Sequence, residues 1–179
     1  MSSYRYQPLL QEPDSIRLLR LLPDKDENAS IQCELFNYTL QESGKRTHPY
    51  DALSYVWGNS DNPKSISIGK HTLLVTQNLH RALSRLRYCS IERILWVDAV
   101  SINQGDKSEK EQQIQFMAKI YAQANRVVIW LGDAADYSDQ ALEEIRVTGG
   151  SKKSSNSSNP ETIQQTVLAL LRRPWFRHI

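Results

Sequence analysis

Residues 94–132 read ILWVDAVSINQGDKSEKEQQIQFMAKIYAQANRVVIWLG and hold the pattern that decides the fold. The opening residues, Ile94–Val100, are apolar on both faces apart from one aspartate, which is typical of a strand buried within a covered sheet. Ser108 and Glu111 then form a capping box before apolar residues that recur at helical spacing. Arg126–Leu131 is a second apolar strand. Because a strand, a helix and a strand follow one another, the segment predicts a right-handed crossover between parallel strands.

The residues before this segment add β-structure and one helix. Alternating and β-branched residues predict an amino-terminal hairpin over 15–22 and 31–40, and a third strand over Tyr50–Trp57. A short hairpin over 65–75 follows, and apolar residues at i, i+3, i+4 and i+7 predict a helix over 79–86. We therefore predict an α/β fold of three layers, in which a largely parallel core follows an amino-terminal β extension.

The length of the chain suits one domain, and we assign residues 1–179 to it. The expected parts are a β extension (1–49), an α/β core (50–132), a short helix (138–145), a flexible loop (148–159) and a last helix (160–173). The loop is predicted from a run of Ser, Asn and Lys that cannot bury enough surface to order itself. Because the chain stops on the apolar Ile179 with no polar tail, we expect a domain truncated at its carboxyl end.

Composition argues against several classes of protein. The longest apolar runs, 127–131 and 167–171, are far shorter than the roughly 18 to 20 residues of a membrane span. The amino terminus lacks a signal-peptide core, so we expect a cytoplasmic protein. The net charge is only +2 and the basic residues are scattered, so neither nucleic acid nor a membrane is an expected partner. Cys33 and Cys89 lack the spacing of a zinc site, and no metal is expected.

Common catalytic signatures such as GxGxxG, HExxH and GxSxG are missing, but three other motifs are dense and specific. They are YDALSYVWG at 50–58, LWVDAVSINQ at 95–104 and VIWLG at 128–132. With the amino-terminal YQPLLQEPDSIRLLRLLP and the closing LLRRPWFRHI, they closely resemble the heterokaryon incompatibility (HET) domain of filamentous fungi. The resemblance covers nearly the whole chain. It implies a role in non-self recognition after hyphal fusion, in which the domain triggers programmed cell death.

The same resemblance implies a fold and a chemistry. The HET fold is thought to be related to the Toll/interleukin-1 receptor (TIR) domain, so a flavodoxin-like or TIR-like sheet is expected. Several TIR domains hydrolyse NAD, which makes NAD an expected substrate here, with no tightly bound cofactor. In TIR enzymes the catalytic carboxylate follows a tryptophan phrase resembling the one at which this chain stops. The resemblance therefore places the catalytic glutamate beyond Ile179, and Ser101 stands where the family usually has cysteine.

Five residues are candidates for binding a ligand: Trp57, Gly58, Asp98, Asn103 and Gln104. Asp98 ends a predicted central strand, where open α/β sheets place ligand-binding groups, and it has an equal claim to cap a neighbouring turn or helix. Asn103 and Gln104 are able to bond a ribose or an amide, but Asn in a loop more often closes an Asx turn. Trp57 adjoins a glycine and a polar loop, so it is a better stacking candidate than aromatic residues inside the strands.

Glu109 and Gln113 lie one helical turn apart on the predicted helix. They either face the crevice or solvate the amino-terminal end of the helix, where negative charge is favoured, and we expect the second. Trp96, Met117 and Tyr121 are expected in the core.

Two functions are open at this point. The first is a cell-death effector in incompatibility that acts by NAD hydrolysis. The second is a non-catalytic module that signals by assembling with itself or with other incompatibility proteins.

Overall fold

The computed structural model describes residues 2–10, 12, 14–40, 48–135, 138–149 and 160–177. The chain forms two compact units, Met1–Trp130 and Leu131–Ile179. The strands of the described residues are β1 (Ser15–Leu21), β2 (Gln32–Thr39), β3 (His48–Tyr55), β4 (Lys64–Ile68), β5 (His71–Val75), β6 (Arg93–Trp96) and β7 (Ala124–Trp130). The helices are α1 (Gln77–Leu86), α2 (Asp98–Ser101), α3 (Lys107–Gln123), α4 (Ser138–Gly149), α5 (Pro160–Leu171) and a 3-10 turn, η1 (Pro174–Arg177).

All seven strands form one mixed sheet in the order β5-β4-β2-β1-β6-β3-β7. The pairs β2–β4, β6–β3 and β3–β7 are parallel, whereas β5–β4, β2–β1 and β1–β6 are antiparallel. The prediction of a largely parallel sheet is therefore corrected to a mixed one. The amino-terminal hairpin is not an appendage of the core either, because β1 pairs directly with β6 and joins the two halves of the sheet.

Helices cover both faces of the sheet, which confirms the predicted three layers. Successive residues of a strand point to opposite faces, and here they divide between two buried clusters. The cluster on one face includes Leu19, Leu53 and Leu95 with Leu79 and Leu83 of α1. The cluster on the other face includes Leu18, Ala52 and Trp96 with Ile120 of α3. Each fully buried leucine of this kind contributes about 1.5 to 3 kcal/mol of transfer free energy.

A charge cluster around the buried carboxylate of Asp51 ties the parallel strands together. The carboxylate of Asp51 on β3 accepts hydrogen bonds from Arg93 on β6, at 2.9 and 3.1 Å, and an ion pair of 3.0 Å joins it to Arg126 on β7. Burial raises the pKa of Asp51, but the hydrogen bonds from Arg93, Arg126 and Asn125 outweigh it, so the pKa is lowered. The carboxylate is therefore ionised at neutral pH and bridges three strands.

Two local predictions need correction. The strand predicted over Ile94–Val100 ends at Trp96, and the chain turns at once into the four-residue α2. Helix α3 is not capped by Ser108, because Asp106 is its N-cap and accepts a hydrogen bond from the backbone of Glu109 at 3.1 Å. The second correction follows from an aspartate at the N-cap, whose side chain satisfies a free backbone N–H group at the helix start.

The second unit is helical. Arg173 donates hydrogen bonds to the backbone oxygens of Leu131, Asp133 and Ala135, which holds the segment before α4. Helix α4 continues to Gly149, so the start of the predicted loop over 148–159 is helical, and its residues 150–159 lie outside those described. The described part of the chain contains no helix with the length and hydrophobicity needed to cross a membrane.

Candidate functional site

The parallel strands β6, β3 and β7 end at one edge of the sheet, and the candidate residues follow them there. Asp98 comes two residues after the end of β6, and Trp57 comes two residues after the end of β3. Trp130 is the last residue of β7. This edge is where open α/β sheets bind ligands, because the loops that follow parallel strands leave a crevice between them.

Trp57 and Asp98 meet directly at this edge. The indole Nε1–H of Trp57 donates to Asp98 Oδ2 at 2.7 Å, and the backbone N–H of Ala99 donates to Asp98 Oδ1 at 2.7 Å. The capping role weighed for Asp98 is therefore present, since one oxygen bonds the first turn of α2 while the other holds the tryptophan. Its role in binding a ligand stays a prediction. Trp57 is 43% exposed, which leaves part of its ring open to a stacking partner.

The surroundings of Asp98 favour its neutral form. Burial is the main cause and raises the pKa of Asp98, while the hydrogen bonds from Trp57 and from the backbone of Ala99 lower it, and the net shift is upward. The buried hydroxyl of Tyr55 faces the same carboxylate without a hydrogen bond of standard geometry, and burial raises its pKa strongly. Burial, reinforced by the charge of Asp98, raises the pKa of Tyr121 to about 12.

Gln104 and Asn103 differ in what their side chains do. Gln104 Nε2 donates to the backbone oxygen of Asp98 at 3.0 Å, and its Oε1 is buried without a hydrogen-bond partner. The Oδ1 of Asn103 accepts from the backbone of Gly105 at 3.2 Å, which is the Asx-type turn weighed as its structural role. Gln104 therefore keeps an unpaired, buried acceptor close to the backbone of Asp98, whereas Asn103 shapes the loop.

Asn78 is a site residue to which the sequence analysis assigned no binding role. Thr76 caps α1, and Asn78 Nδ2 donates to the backbone oxygen of Val56 at 2.6 Å while its Oδ1 accepts from the indole of Trp130 at 2.9 Å. Gly58 packs against it with a φ of +74°, and a Cβ there would lie 3.3 Å from Asn78 Cβ. A pairing between a helix start and a strand 52 residues away has no local sequence signal.

Glu109 is the second residue whose role differs from the prediction. It does not solvate the helix end, because its carboxylate forms a bidentate ion pair with Arg17 of β1 and is only 9% exposed. Gln113, one turn further on, is buried and donates to the backbone oxygen of Ser15 at 2.9 Å. Both side chains therefore join α3 to β1 beneath the loop that carries Asp98 and Gln104.

The described side chains at this edge are aromatic, amide and carboxyl groups. Among the described residues, no group of three or more His, Cys, Asp or Glu side chains could hold a metal ion. The edge combines a half-exposed indole, a carboxylate with a raised pKa, the hydroxyl of Tyr55 that faces this carboxylate, and the unpaired Oε1 of Gln104. These groups suit an aromatic ligand that also carries hydrogen-bond donors.

Comparison with known proteins places this site within a family. Residues 50–179 match the family described as Heterokaryon incompatibility protein (HET). The chain belongs to the heterokaryon incompatibility family. It is also 32% identical over 154 residues to Heterokaryon incompatibility protein 6, OR allele, of Neurospora crassa. That alignment covers 78% of the chain but 22% of the relative, so the chain spans about a fifth of the relative's length. No solved structure matches it significantly.

The region matched to the HET family contains every candidate ligand residue but not the whole sheet. Trp57 and Asp98 lie within residues 50–179, whereas β1 and β2 precede the matched region. Because β1 lies between β2 and β6, the HET domain of this chain needs residues before Tyr50 to complete its sheet.

Proposed function

We propose that this chain is the effector domain of a fungal incompatibility protein that acts in the cytoplasm and triggers programmed cell death by hydrolysing NAD. Membership of the HET family supports the role in incompatibility. The observation that carries the chemistry is the Trp57–Asp98 pair, in which a half-exposed indole and a partly buried carboxylate meet at the carboxyl-terminal edge of parallel strands.

The topology supports a relationship to flavodoxin-like and TIR-like sheets. Strand β3 comes first in the chain but lies between β6 and β7, so the three parallel strands have the spatial order second, first, third. Doubly wound sheets of the flavodoxin type begin with the same order and bind their ligand where the direction of winding changes. Trp57 follows the central strand of this trio, at that position.

The proposed ligand contacts follow from the free groups. The ring of Trp57 stacks on the nicotinamide or adenine ring, and Asp98 accepts a hydrogen bond from a ribose hydroxyl or from the carboxamide. Gln104 Oε1, buried without a partner, accepts a second one. An unpaired buried acceptor costs about 1 to 3 kcal/mol, so a ligand that supplies a donor here recovers that energy.

In the proposed reaction the bond between ribose C1′ and the nicotinamide nitrogen breaks, and its electron pair returns to the pyridine ring. Water adds at C1′, and the products are nicotinamide, ADP-ribose and a proton. A carboxylate is needed to stabilise the oxocarbenium-like ribose. The resemblance does not match Asp98 to the catalytic position, so we assign it to ligand binding, in which each oxygen accepts a further hydrogen bond beside its present one. We propose that residues beyond this chain supply the catalytic glutamate.

The experiment compares residues 1–179 with the complete protein encoded by the gene. Each is incubated with NAD, and free nicotinamide is measured by chromatography. We expect turnover by the complete protein and at least about a hundredfold less by residues 1–179, because removing a group that stabilises developing charge costs that much. Equal turnover by both would overturn the assignment of the catalytic carboxylate. Inactivity of both, with NAD binding absent, would overturn NAD hydrolysis itself.

A self-associating signalling module is the second candidate, and the outermost strand of the sheet, β7, favours it. Among the described strands, β7 pairs only with β3, and its Val127 and Ile129 are each 45% exposed. An exposed apolar edge strand is a ready template for pairing with another chain, either a second copy or another incompatibility protein. Concentration-dependent oligomers that Val127→Lys abolishes, together with cell death that needs no NAD turnover, would favour this function.

A further inference from the structure

A buried ion pair lies beneath the loop that carries Asp98 and Gln104. Arg17 on β1 and Glu109 in the first turn of α3 are 92 residues apart, and their side chains are only 3% and 9% exposed. The guanidinium contacts both carboxylate oxygens, at 2.5 and 2.9 Å. It also donates to the backbone oxygen of Gln7 at 2.6 Å and lies 5.1 Å from the centre of the Tyr6 ring.

Arg17 and Glu109 also bond the backbone of that loop, at the end of α2 and just after it. Arg17 Nη1 donates to the oxygen of Ser101 at 3.3 Å, at the end of α2. Glu109 Oε1 accepts from the N–H of Asn103 at 2.7 Å, just after α2. Tyr6, which stacks on Arg17, donates to the oxygen of Val100 at 3.0 Å. Backbone groups that the short helix α2 leaves free are thereby satisfied by one network.

We propose that Arg17 and Glu109 are positioning residues that hold α2, and with it the Asp98 carboxylate, against the indole of Trp57. The proposal rests on the proposed function only in treating this loop as the ligand-binding loop. Among the described hydrogen bonds of the two side chains, those to the loop reach only its backbone, so the pair acts on Asp98 through the backbone. The amino-terminal segment belongs to the same network. The backbone oxygen of Gln7 accepts a hydrogen bond from the Arg17 guanidinium, and the ring of Tyr6 packs against it.

Replacing both Arg17 and Glu109 separates an effect on the stability of the fold from an effect on the position of the loop. Removing one partner leaves a buried charge unpaired, whereas replacing a buried pair by apolar residues of similar volume is often neutral or stabilising. The double variant R17M/E109L should therefore remain folded. It lacks the donor to Ser101 and the acceptor for Asn103, so the loop should lose its fixed geometry.

The experiment follows the indole N–H signal of Trp57 by NMR in the ¹⁵N-labelled chain, with W57F used to assign it. In the wild type we expect this signal to move with pH as Asp98 titrates. Tyr55 and Tyr121, the other titratable neighbours of Asp98, have raised pKa values and do not ionise in the acid range. In R17M/E109L the movement should fall by at least half, with a thermal midpoint close to that of the wild type.

Two control variants sharpen the test. E109Q keeps an acceptor for the N–H of Asn103 and should retain most of the pH response. R20Q/E34Q removes a more exposed pair, 2.8 Å long, between β1 and β2 that has no hydrogen bond to the loop, and it should match the wild type. A folded R17M/E109L with the full wild-type response would overturn the inference. A double variant that fails to fold would also overturn it, since the pair would then be required for the fold itself.

Titration with NAD as the probe adds a second readout. We expect the dissociation constant of R17M/E109L to be at least about tenfold weaker than that of the wild type, because the loop no longer presents Asp98 in one position. Equal NAD affinity in the two proteins would overturn the inference. If the wild type binds no NAD, the proposed function fails, while the indole signal of Trp57 still decides whether the pair positions the loop.

Discussion

Replacing Trp57 by Phe tests the hydrogen bond at the centre of the site. The substitution keeps an aromatic ring but removes the N–H that donates to Asp98 Oδ2 at 2.7 Å. Hydrogen bonds to charged groups contribute about 1.5 to 3 kcal/mol. The low end of this range applies, because the indole is 43% exposed and water can replace its N–H as a donor to Asp98. A loss of about 1.5 kcal/mol corresponds to a further rise of about one unit in the pKa of Asp98.

The effect should depend on pH in a defined direction. Burial already raises the pKa of Asp98 in the folded chain, so the fold favours the protonated carboxyl and the free energy of unfolding falls as pH rises through that pKa. W57F raises the folded pKa further and enlarges this fall. The variant should therefore be about 1.5 kcal/mol less stable at pH 7, and the difference should shrink to less than about 0.5 kcal/mol below pH 3.9.

The assay is urea unfolding of the wild type and W57F across pH 3.5 to 7.5, followed by circular dichroism. W130F is the matched control, since it removes an indole that donates to the neutral amide of Asn78 at 2.9 Å. Its effect, about 0.5 to 1.5 kcal/mol, should not change with the protonation of Asp98. A W57F effect that is equal at pH 3.5 and pH 7 would refute the claim that Trp57 stabilises the ionised carboxylate.

Three further predictions concern the rest of the first unit. D51N should lower the free energy of unfolding by about 3 kcal/mol at pH 7, because it leaves the nearly buried Arg93 without its carboxylate, and a loss under 1 kcal/mol would contradict this. G58A should cost about 1 to 2 kcal/mol in thermal unfolding, since the φ of +74° is strained for any side chain, and an unchanged midpoint would count against it. Iodoacetamide should alkylate the exposed Cys89 first at pH 8, because burial raises the pKa of Cys33 to about 12, and faster labelling of Cys33, followed by mass spectrometry, would disprove this.

Most strands and helices of this chain can be predicted from its sequence, because the patterns that mark them lie among neighbouring residues. The strands β1, β2, β4 and β5 and the helix α1 agree with the predicted segments to within one or two residues, since alternation and helical spacing are properties of neighbouring residues. The motifs that resemble the HET family were also visible in the sequence, and the family match confirms them. The capping of α3 was missed because two competing signals, at Asp106 and Ser108, stand two residues apart.

The sequence also placed Trp57 and Asp98 at the ends of strands, but it could not show that they meet. Their hydrogen bond requires β3 and β6 to be parallel neighbours, and no local pattern shows that β6 pairs with β3 on one side and with β1 on the other. Arg17 and Glu109 are 92 residues apart, and no pattern in the sequence identifies the partner of a charged residue at that distance. Periodicity therefore determined most of the segments that become strands and helices, but not the buried face of α3, where Gln113 is buried and Ile114 is 50% exposed. Strand order, the mixed sheet and the buried ion pairs were decided only by tertiary packing, because an apolar face can be buried against many partners and only the whole fold satisfies every buried charge at once.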